Sequence, residues 1–246
     1  MSGESLLEVT RIADGLWRWT APHPEWTAEY DRPDGWARTV GSVYFEPPAG
    51  DAGDAIVLVD PLAPPPGSAE AGEFWSALDR DVERAGLPLV ILVSNGYHAR
   101  GSLEFRRRYE GRHGVEFLAS AEAVPRLGFE PTRGFGVPAA PQAGVEILPV
   151  EGLDLGETAF FITRHRALVI GDAVIGAGGG RLAVAPPSWA AAGEASGALY
   201  RERFRASLRR LLDLDPAIVL PSHGEPVLAG GRAALDAALA APAWGE

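Results

Sequence analysis

Two side chains able to move protons or hold a metal stand directly after apolar runs. Asp172 follows Leu168-Val169-Ile170-Gly171, and His223 follows Val219-Leu220-Pro221-Ser222. The carboxyl end of a strand in an α/β protein is where ligand contacts are usually placed. A third apolar run, Leu89 to Val93, feeds the loop Ser94-Asn95-Gly96-Tyr97-His98-Ala99-Arg100-Gly101, which adds an imidazole, a guanidinium and the polar tips of Asn95 and Tyr97. Asn95, Tyr97, His98, Arg100, Asp172 and His223 are therefore the candidate pocket. The chain has no cysteine, which excludes a catalytic thiol, a thiolate ligand and a disulfide framework. Any metal must be held by His, Asp, Glu or water. Serine hydrolysis finds no support, because Ser94 and Ser222 lack a nucleophile-elbow context and Ser188, in Pro186-Pro187-Ser188-Trp189, reads as a turn or cap residue. His23, His113 and His165 fall in a proline-rich loop and two turns and are read as incidental.

The elements that must position these residues follow from periodicity and punctuation. Tryptophan-rich alternation around Leu16-Trp17-Arg18-Trp19, preceded by an Asp-Gly turn signal and resumed from Thr39 to Phe45, predicts an amino-terminal antiparallel sheet. The apolar strand ending at Asp60 is stopped by Pro64-Pro65-Pro66-Gly67, and a helix is expected from Ala69 to Ala85, closed by Gly86. Leu89 to Val93 has the unbroken apolar character of a strand buried on both faces, and Ser102 to Tyr109 reads as the helix after the loop. Strands are expected over Val145 to Val150, Ala159 to Thr163, Ala167 to Ile170 and Ala217 to Leu220. Helices are expected over Ala198 to Leu214 and Arg232 to Leu239. The run Gly176-Ala177-Gly178-Gly179-Gly180 lacks a Walker-type lysine and a following helix, so it reads as a loop near the cleft.

A chain of 246 residues, with 46% hydrophobic and 22% charged residues, suits one large domain spanning 1–246. A net charge of -11 argues against nucleic acid as a partner, and Arg106-Arg107-Arg108 reads as a solvated helix face. Nothing calls for a membrane, and residues Met1 to Ser5 carry neither a basic region nor an apolar stretch, so the cytoplasm is expected. Oligomeric state is not legible. A small molecule is the partner class that remains.

In their order and spacing, the segments around Asp60, Ser94 to Ser102, Asp172 and His223 resemble the metallo-β-lactamase superfamily, whose zinc loop reads T-H-x-H-x-D-H after an apolar strand. The resemblance implies an α/β, αββα four-layer sandwich. It also implies a comparison with that superfamily's dinuclear zinc site of five histidines and two aspartates. Asn95 and Tyr97 stand at the loop's first two histidines, Ala99 at its aspartate and Arg100 at its last histidine, and Leu153 matches a further histidine. Asp172 and His223 retain the family's residue types. The tail from Leu220 to Leu235 resembles an uncharacterised subgroup with a similarly rewritten loop.

The resemblance thus implies a degenerate zinc site without dinuclear hydrolysis, and no metal is favoured. The expected function is binding of a small molecule. The alternative is a mononuclear metal-dependent hydrolase of ester-like or lactone-like substrates, in which His98 joins Asp172 and His223 around one zinc, iron or manganese ion. A third reading, a protein-interaction role, would be favoured by an exposed patch of Trp17, Trp26 and Trp36. Arg100, standing where a ligand is lost, is expected to neutralise Asp172 with a two-pronged hydrogen bond and so to replace the metal electrostatically.

Overall fold

The structure is a computed structural model in which residues 7–48, 55–134, 143–153, 156–189 and 199–245 are described. Its first sheet opens with β1 (Glu8–Ala13), β2 (Leu16–Pro22) and β3 (Thr39–Phe45), paired antiparallel. It continues with β4 (Ile56–Val59), antiparallel to β3, and then with β5 (Leu89–Leu92), β6 (Val115–Ala119) and β7 (Arg133–Gly134), all parallel to β4. The antiparallel amino-terminal sheet expected above is therefore the first part of a seven-stranded mixed sheet. The second sheet contains β8 (Val145–Pro149), β9 (Thr158–Ile162), β10 (Ala167–Ile170) and β13 (Ile218–Pro221) in the order β13-β10-β9-β8. Only β10 and β13 run parallel in it. A separate hairpin pairs β11 (Val174–Gly176) with β12 (Leu182–Val184).

Alternation along the strands sorts side chains into three apolar layers. In β5, Val90 and Leu92 face the second sheet, where they join Val57, Val59, Val145, Ile147, Phe160, Ile162 and Val169. Leu89 and Ile91 face the other way, into a cluster with Phe74, Leu78 and Val82 of α1 (Ala69–Ala85) and Phe105 and Tyr109 of α2 (Ser102–Tyr109). Helix α1 forms because Ala71, Phe74, Leu78 and Val82 recur at three- and four-residue spacing, and Gly86 ends it in the left-handed conformation. On the far face of the second sheet, Phe161, Leu168, Ile170 and Val219 pack with Leu208 of α4 (Arg205–Arg210) and with Leu235 and Leu239 of α5 (Gly231–Ala240). A short α3 (Val124–Leu127) lies between β6 and β7. The result is helices, sheet, sheet, helices, with each fully buried Leu or Phe contributing about 1.5–3 kcal/mol. Among the described residues no helix is long and apolar enough to cross a membrane.

Expected boundaries differ from the observed ones by a residue or two, except in the segment expected as a helix from Ala198. Its first residue lies outside the described residues. From Leu199 to Phe204 the segment is π-helical, and a 3-10 turn from Leu211 to Leu214 follows α4.

The parallel pairs β4/β5 and β10/β13 deliver Asp60, Ser94, Asp172 and His223 to the same end of the sandwich. There the two sheets are stitched together. Thr158 N donates to Ser94 O at 2.7 Å, Gly41 N donates to Ser222 O at 2.7 Å, and Val40 bridges His223.

Candidate functional site at the strand ends

Asp60 is the hub of the buried half of the site. It follows the last residue of β4, is 2% exposed, and sits at φ +47°, an uncommon conformation for a residue other than glycine. Its Oδ1 accepts from Ser94 N at 2.8 Å. Its Oδ2 lies 2.6 Å from Ser94 Oγ, 2.8 Å from His98 Nδ1 and 3.4 Å from Ser222 Oγ. Four groups from two segments therefore depend on one carboxylate.

The loop after β5 turns His98 inward. Asn95 Oδ1 accepts from Tyr97 N at 2.8 Å, and Asn95 O accepts from His98 N at 3.1 Å, closing a tight side-chain-capped turn. Tyr97 is consequently 46% exposed, while His98 is 3% exposed. His98 Nε2 lies 3.1 Å from Asp172 Oδ1, and His223 Nε2 lies 2.9 Å from the same oxygen. Arg100, held at φ +39°, donates through Nη1 to Gly41 O at 3.0 Å and places Nη2 3.1 Å from His98 Nε2 and 3.4 Å from Ser222 Oγ.

Two further buried residues complete the framework. Glu157 stands just before β9, and its carboxylate receives Gly171 N at 3.0 Å, Asp172 N and Ala173 N at 3.3 Å, and Asn95 Nδ2 at 2.8 Å. Asn95 Nδ2 also reaches Asp172 Oδ2 at 3.0 Å. From β2, the buried Arg18 donates Nη2 to Gly224 O at 2.9 Å and to Pro221 O at 3.3 Å, clamping the loop that carries His223.

Above this floor opens a cleft of about 460 Å³. His98, Arg100, Asp172 and His223 line its depth, and Tyr30, Arg32, Tyr97 and Arg126 line its exposed rim. Trp36 and Trp189 flank His223, with ring centroids 5.2 and 5.7 Å from it.

Charge is concentrated in the floor. Burial and the neighbouring Arg100 push His98 down, but the carboxylates of Asp172 and Asp60 outweigh them and raise it to about 9. Burial opposes the ionised form of Asp172, yet His98 and His223 hold it well below the usual carboxylate range. Burial and the Asp172 charge push Glu157 up to about 8, against the N–H donors that favour its ionised form. Burial lowers His223.

His23, in the wall of the same cleft, gives a pH test. Burial first, then the charges of Arg100, His98 and His223, lower it from 6.5 to about 4 against the pull of Asp172. Its Nδ1 also accepts Glu25 N at 3.2 Å, a bond that protonation there would break. A base with a depressed folded-state pKa binds fewer protons folded than unfolded. Its stabilising contribution is present above pH 6.5 and is lost as pH falls from 6.5 towards about 4. His23→Gln is expected to flatten the stability slope in that window, as read by urea unfolding at successive pH values. A slope equal to that of the wild type would contradict it.

His98, Asp172 and His223 bring ligand atoms within 4.8 Å of one another and could hold one metal ion. Two imidazoles and a carboxylate match catalytic zinc sites in type and number, and Asp60 behind His98 supplies the carboxylate support such ligands usually have. Arg100 opposes this use. If His98 is charged, its Nε2 carries a proton; if it is neutral with Nδ1–H on Asp60, Nε2 accepts Arg100 Nη2. In neither state is the ligand lone pair free. His223 Nδ1 is buried without a hydrogen-bond partner among the described residues, so it lacks the support His98 has.

The candidate pocket residues do converge: Tyr97, His98, Arg100, Asp172 and His223 line the cleft, and Asn95 lies beneath it bonded to Asp172. Two expectations change. Arg100 makes no two-pronged bond to Asp172; its donors go to Gly41, Ser222 and the His98 edge, and Asp172 is reached instead by His98, His223 and Asn95. His23 is not incidental, since it lines the cleft and meets Trp36 edge-on at 5.1 Å.

Trp17, Trp26 and Trp36 are each half-buried, which does not favour the interaction patch. Leu153 packs on the core of the second sheet, while residues 154 and 155 of its turn lie outside the described residues. The glycine loop meets Glu225, with Gly179 N donating to its Oε2 at 3.2 Å.

No family model matches the chain, and no curated protein matches it in sequence. Solved structures do match in shape. A metallo-β-lactamase from Hirschia baltica superposes with a TM-score of 0.61 at 18% identity, over 96% of this chain and 97% of that one. A metallo-β-lactamase from Pontibacter korlensis gives 0.62 at 16% identity, over 96% and 100%. The metallo-β-lactamase FIM-1 from Pseudomonas aeruginosa, solved in a mono-zinc form, gives 0.58 at 15% identity, over 97% and 98%. With two packed mixed sheets, helices on both outer faces, and these likenesses along nearly its whole length, the chain has the α/β metallo-β-lactamase fold.

Proposed function

We propose that this protein is a metal-independent small-molecule binder, a single domain across residues 1–246 working in the cytoplasm. In this reading the Arg100 guanidinium takes the position a cation would occupy beside His98 and Asp172. The observation that carries it is that His98 Nε2, the atom a metal would need, lies 3.1 Å from both Asp172 Oδ1 and Arg100 Nη2: a charged ring gives its proton to Asp172, and a neutral one accepts from Arg100. Charge balance supports it. Two ionised aspartates, Asp60 and Asp172, face the cations of Arg100 and His98, so the floor is near neutrality without a divalent ion. The substitutions at Asn95, Tyr97, Ala99, Arg100 and Leu153 also leave too few donors for a dinuclear centre.

The second reading, a mononuclear hydrolase of ester-like or lactone-like substrates, is favoured by the three-donor group itself. There His98, Asp172 and His223 would hold one ion supplying Lewis acidity, and Asp60 would orient His98. Zinc titration calorimetry on tag-free protein separates the two readings. The wild type is expected to show no saturable binding, whereas Arg100→Met, which keeps the apolar stem, gains affinity by about tenfold or more, equivalent to about 1.4 kcal/mol. One zinc bound tightly by the wild type, with no change in Arg100→Met, would contradict the proposal.

A further inference from the structure

We infer that the cleft takes a small aromatic acid, its ring against Trp36 and Trp189 and its carboxylate at Arg126. This rests on the metal-independent reading in one respect: the ligand's anion is met by arginine and not by a bound cation.

The charge of the lining points to an anion. Arg32, Arg100 and Arg126 face the cleft against two carboxylates, Glu25 and Asp172, in a chain whose net charge is -11. The floor charges are balanced among themselves, so what an anion can meet is a cation at the rim that has no carboxylate of its own. The three arginines are not equivalent. Arg32 is engaged by Asp34 at 3.0 Å, and Arg100 is committed to Gly41 O and the buried carboxylates. Arg126, at the end of α3, is exposed and stacks over the Tyr97 ring at 4.5 Å. Among the described residues no carboxylate lies within ion-pair distance of it. Stacking fixes the guanidinium plane before a ligand arrives, which reduces the ordering cost of a two-pronged contact to a carboxylate.

The apolar part of the lining points to a flat ring. Three indole N–H groups donate to three successive carbonyls of the loop that carries Trp36. Trp189 reaches Asp34 O at 3.1 Å, Trp244 reaches Gly35 O at 3.1 Å, and Trp26 reaches Trp36 O at 2.9 Å. Trp36 and Trp189 are thereby held in place on either contact of His223, and Tyr30 packs on Trp36 at 5.0 Å. Rigid aromatic surfaces reward another aromatic ring beyond its buried area. A cleft of about 460 Å³ accommodates a bicyclic ring with one acidic group.

The test titrates the full-length protein with 2-naphthoate, its neutral amide 2-naphthamide, and cyclohexanecarboxylate. Tryptophan fluorescence and calorimetry read the binding, once with chelator and once after zinc addition. 2-Naphthoate is expected to bind saturably, about tenfold tighter than the amide and about tenfold tighter than cyclohexanecarboxylate. Arg126→Gln, at an exposed position, should erase the preference over the amide. Trp189→Leu should erase the preference over the non-aromatic acid. Equal affinity for acid and amide, an unchanged preference in Arg126→Gln, or no saturable binding of 2-naphthoate would overturn the inference. Binding that requires zinc yet still depends on Arg126 overturns the metal-independent reading alone. Binding that ignores Arg126, with or without zinc, overturns this inference alone.

Discussion

Asp60→Ala is expected to destabilise the protein by about 3–5 kcal/mol, the range for removing one partner of a buried charged network. The loss is large because the carboxylate serves several groups at once. Ser94 N, Ser94 Oγ and His98 Nδ1 all lie within 2.8 Å of its oxygens, and all are buried. Alanine leaves these groups in a dry site and removes one of the two aspartates that balance Arg100 and His98. Urea unfolding of the variant against the wild type measures the effect. A loss below about 1 kcal/mol, the size of one ordinary hydrogen bond, would mean that Asp60 is not the hub of the site.

Gly224→Ala is the second large effect, and it acts through backbone geometry. Gly224 sits at φ +79°, and a Cβ there would meet Gly176 O at 2.1 Å and Gly176 C at 2.8 Å. Backbone stands against backbone, so no rotamer change relieves the clash. Left-handed strain and overpacking each cost about 1–3 kcal/mol. The segment also carries His223, whose carbonyl accepts Gly176 N at 2.8 Å, and Arg18 anchors it through Gly224 O. The variant should melt earlier by several degrees and displace His223 from Asp172. Wild-type melting would show that the loop has slack the geometry denies.

Much of the architecture was legible because local signals and packing agree. Helix α1 is announced by the spacing of Ala71, Phe74, Leu78 and Val82, and β5 by an apolar run that the two clusters on its faces explain. The convergence of Asp172, His223 and the loop after β5 was legible for a similar reason, since parallel strands end at one edge. The orientation of His98 was not. It depends on a side-chain-capped turn at Asn95 that rotates Tyr97 out and His98 in.

Asp60 and Glu157 were missed as site residues. Asp60 carried the same signal as Asp172, a carboxylate directly after an apolar strand, and could have been read from it. Glu157 precedes its strand, and its role depends on β9 lying antiparallel beside β10. Arg18 stands between Trp17 and Trp19, where alternation marks a strand but says nothing about which carbonyls its guanidinium will reach. The aromatic lining of Trp36 and Trp189 depends on contacts across more than 150 positions, beyond any local pattern. The pairing expected between Arg100 and Asp172 had the right charges in the right region. Distribution of those charges through His98, Gly41 and Ser222 is a property of the packed site.

The replacement of a cation by Arg100 is tested most directly by the metal content of tag-free protein purified without chelator, measured by elemental mass spectrometry before and after soaking in zinc, iron and manganese. The arrangement of Arg100 on His98 predicts far less than one ion per chain under every condition. Near-stoichiometric metal, lost when Asp172 or His223 is replaced, would contradict it and establish His98, Asp172 and His223 as a metal site.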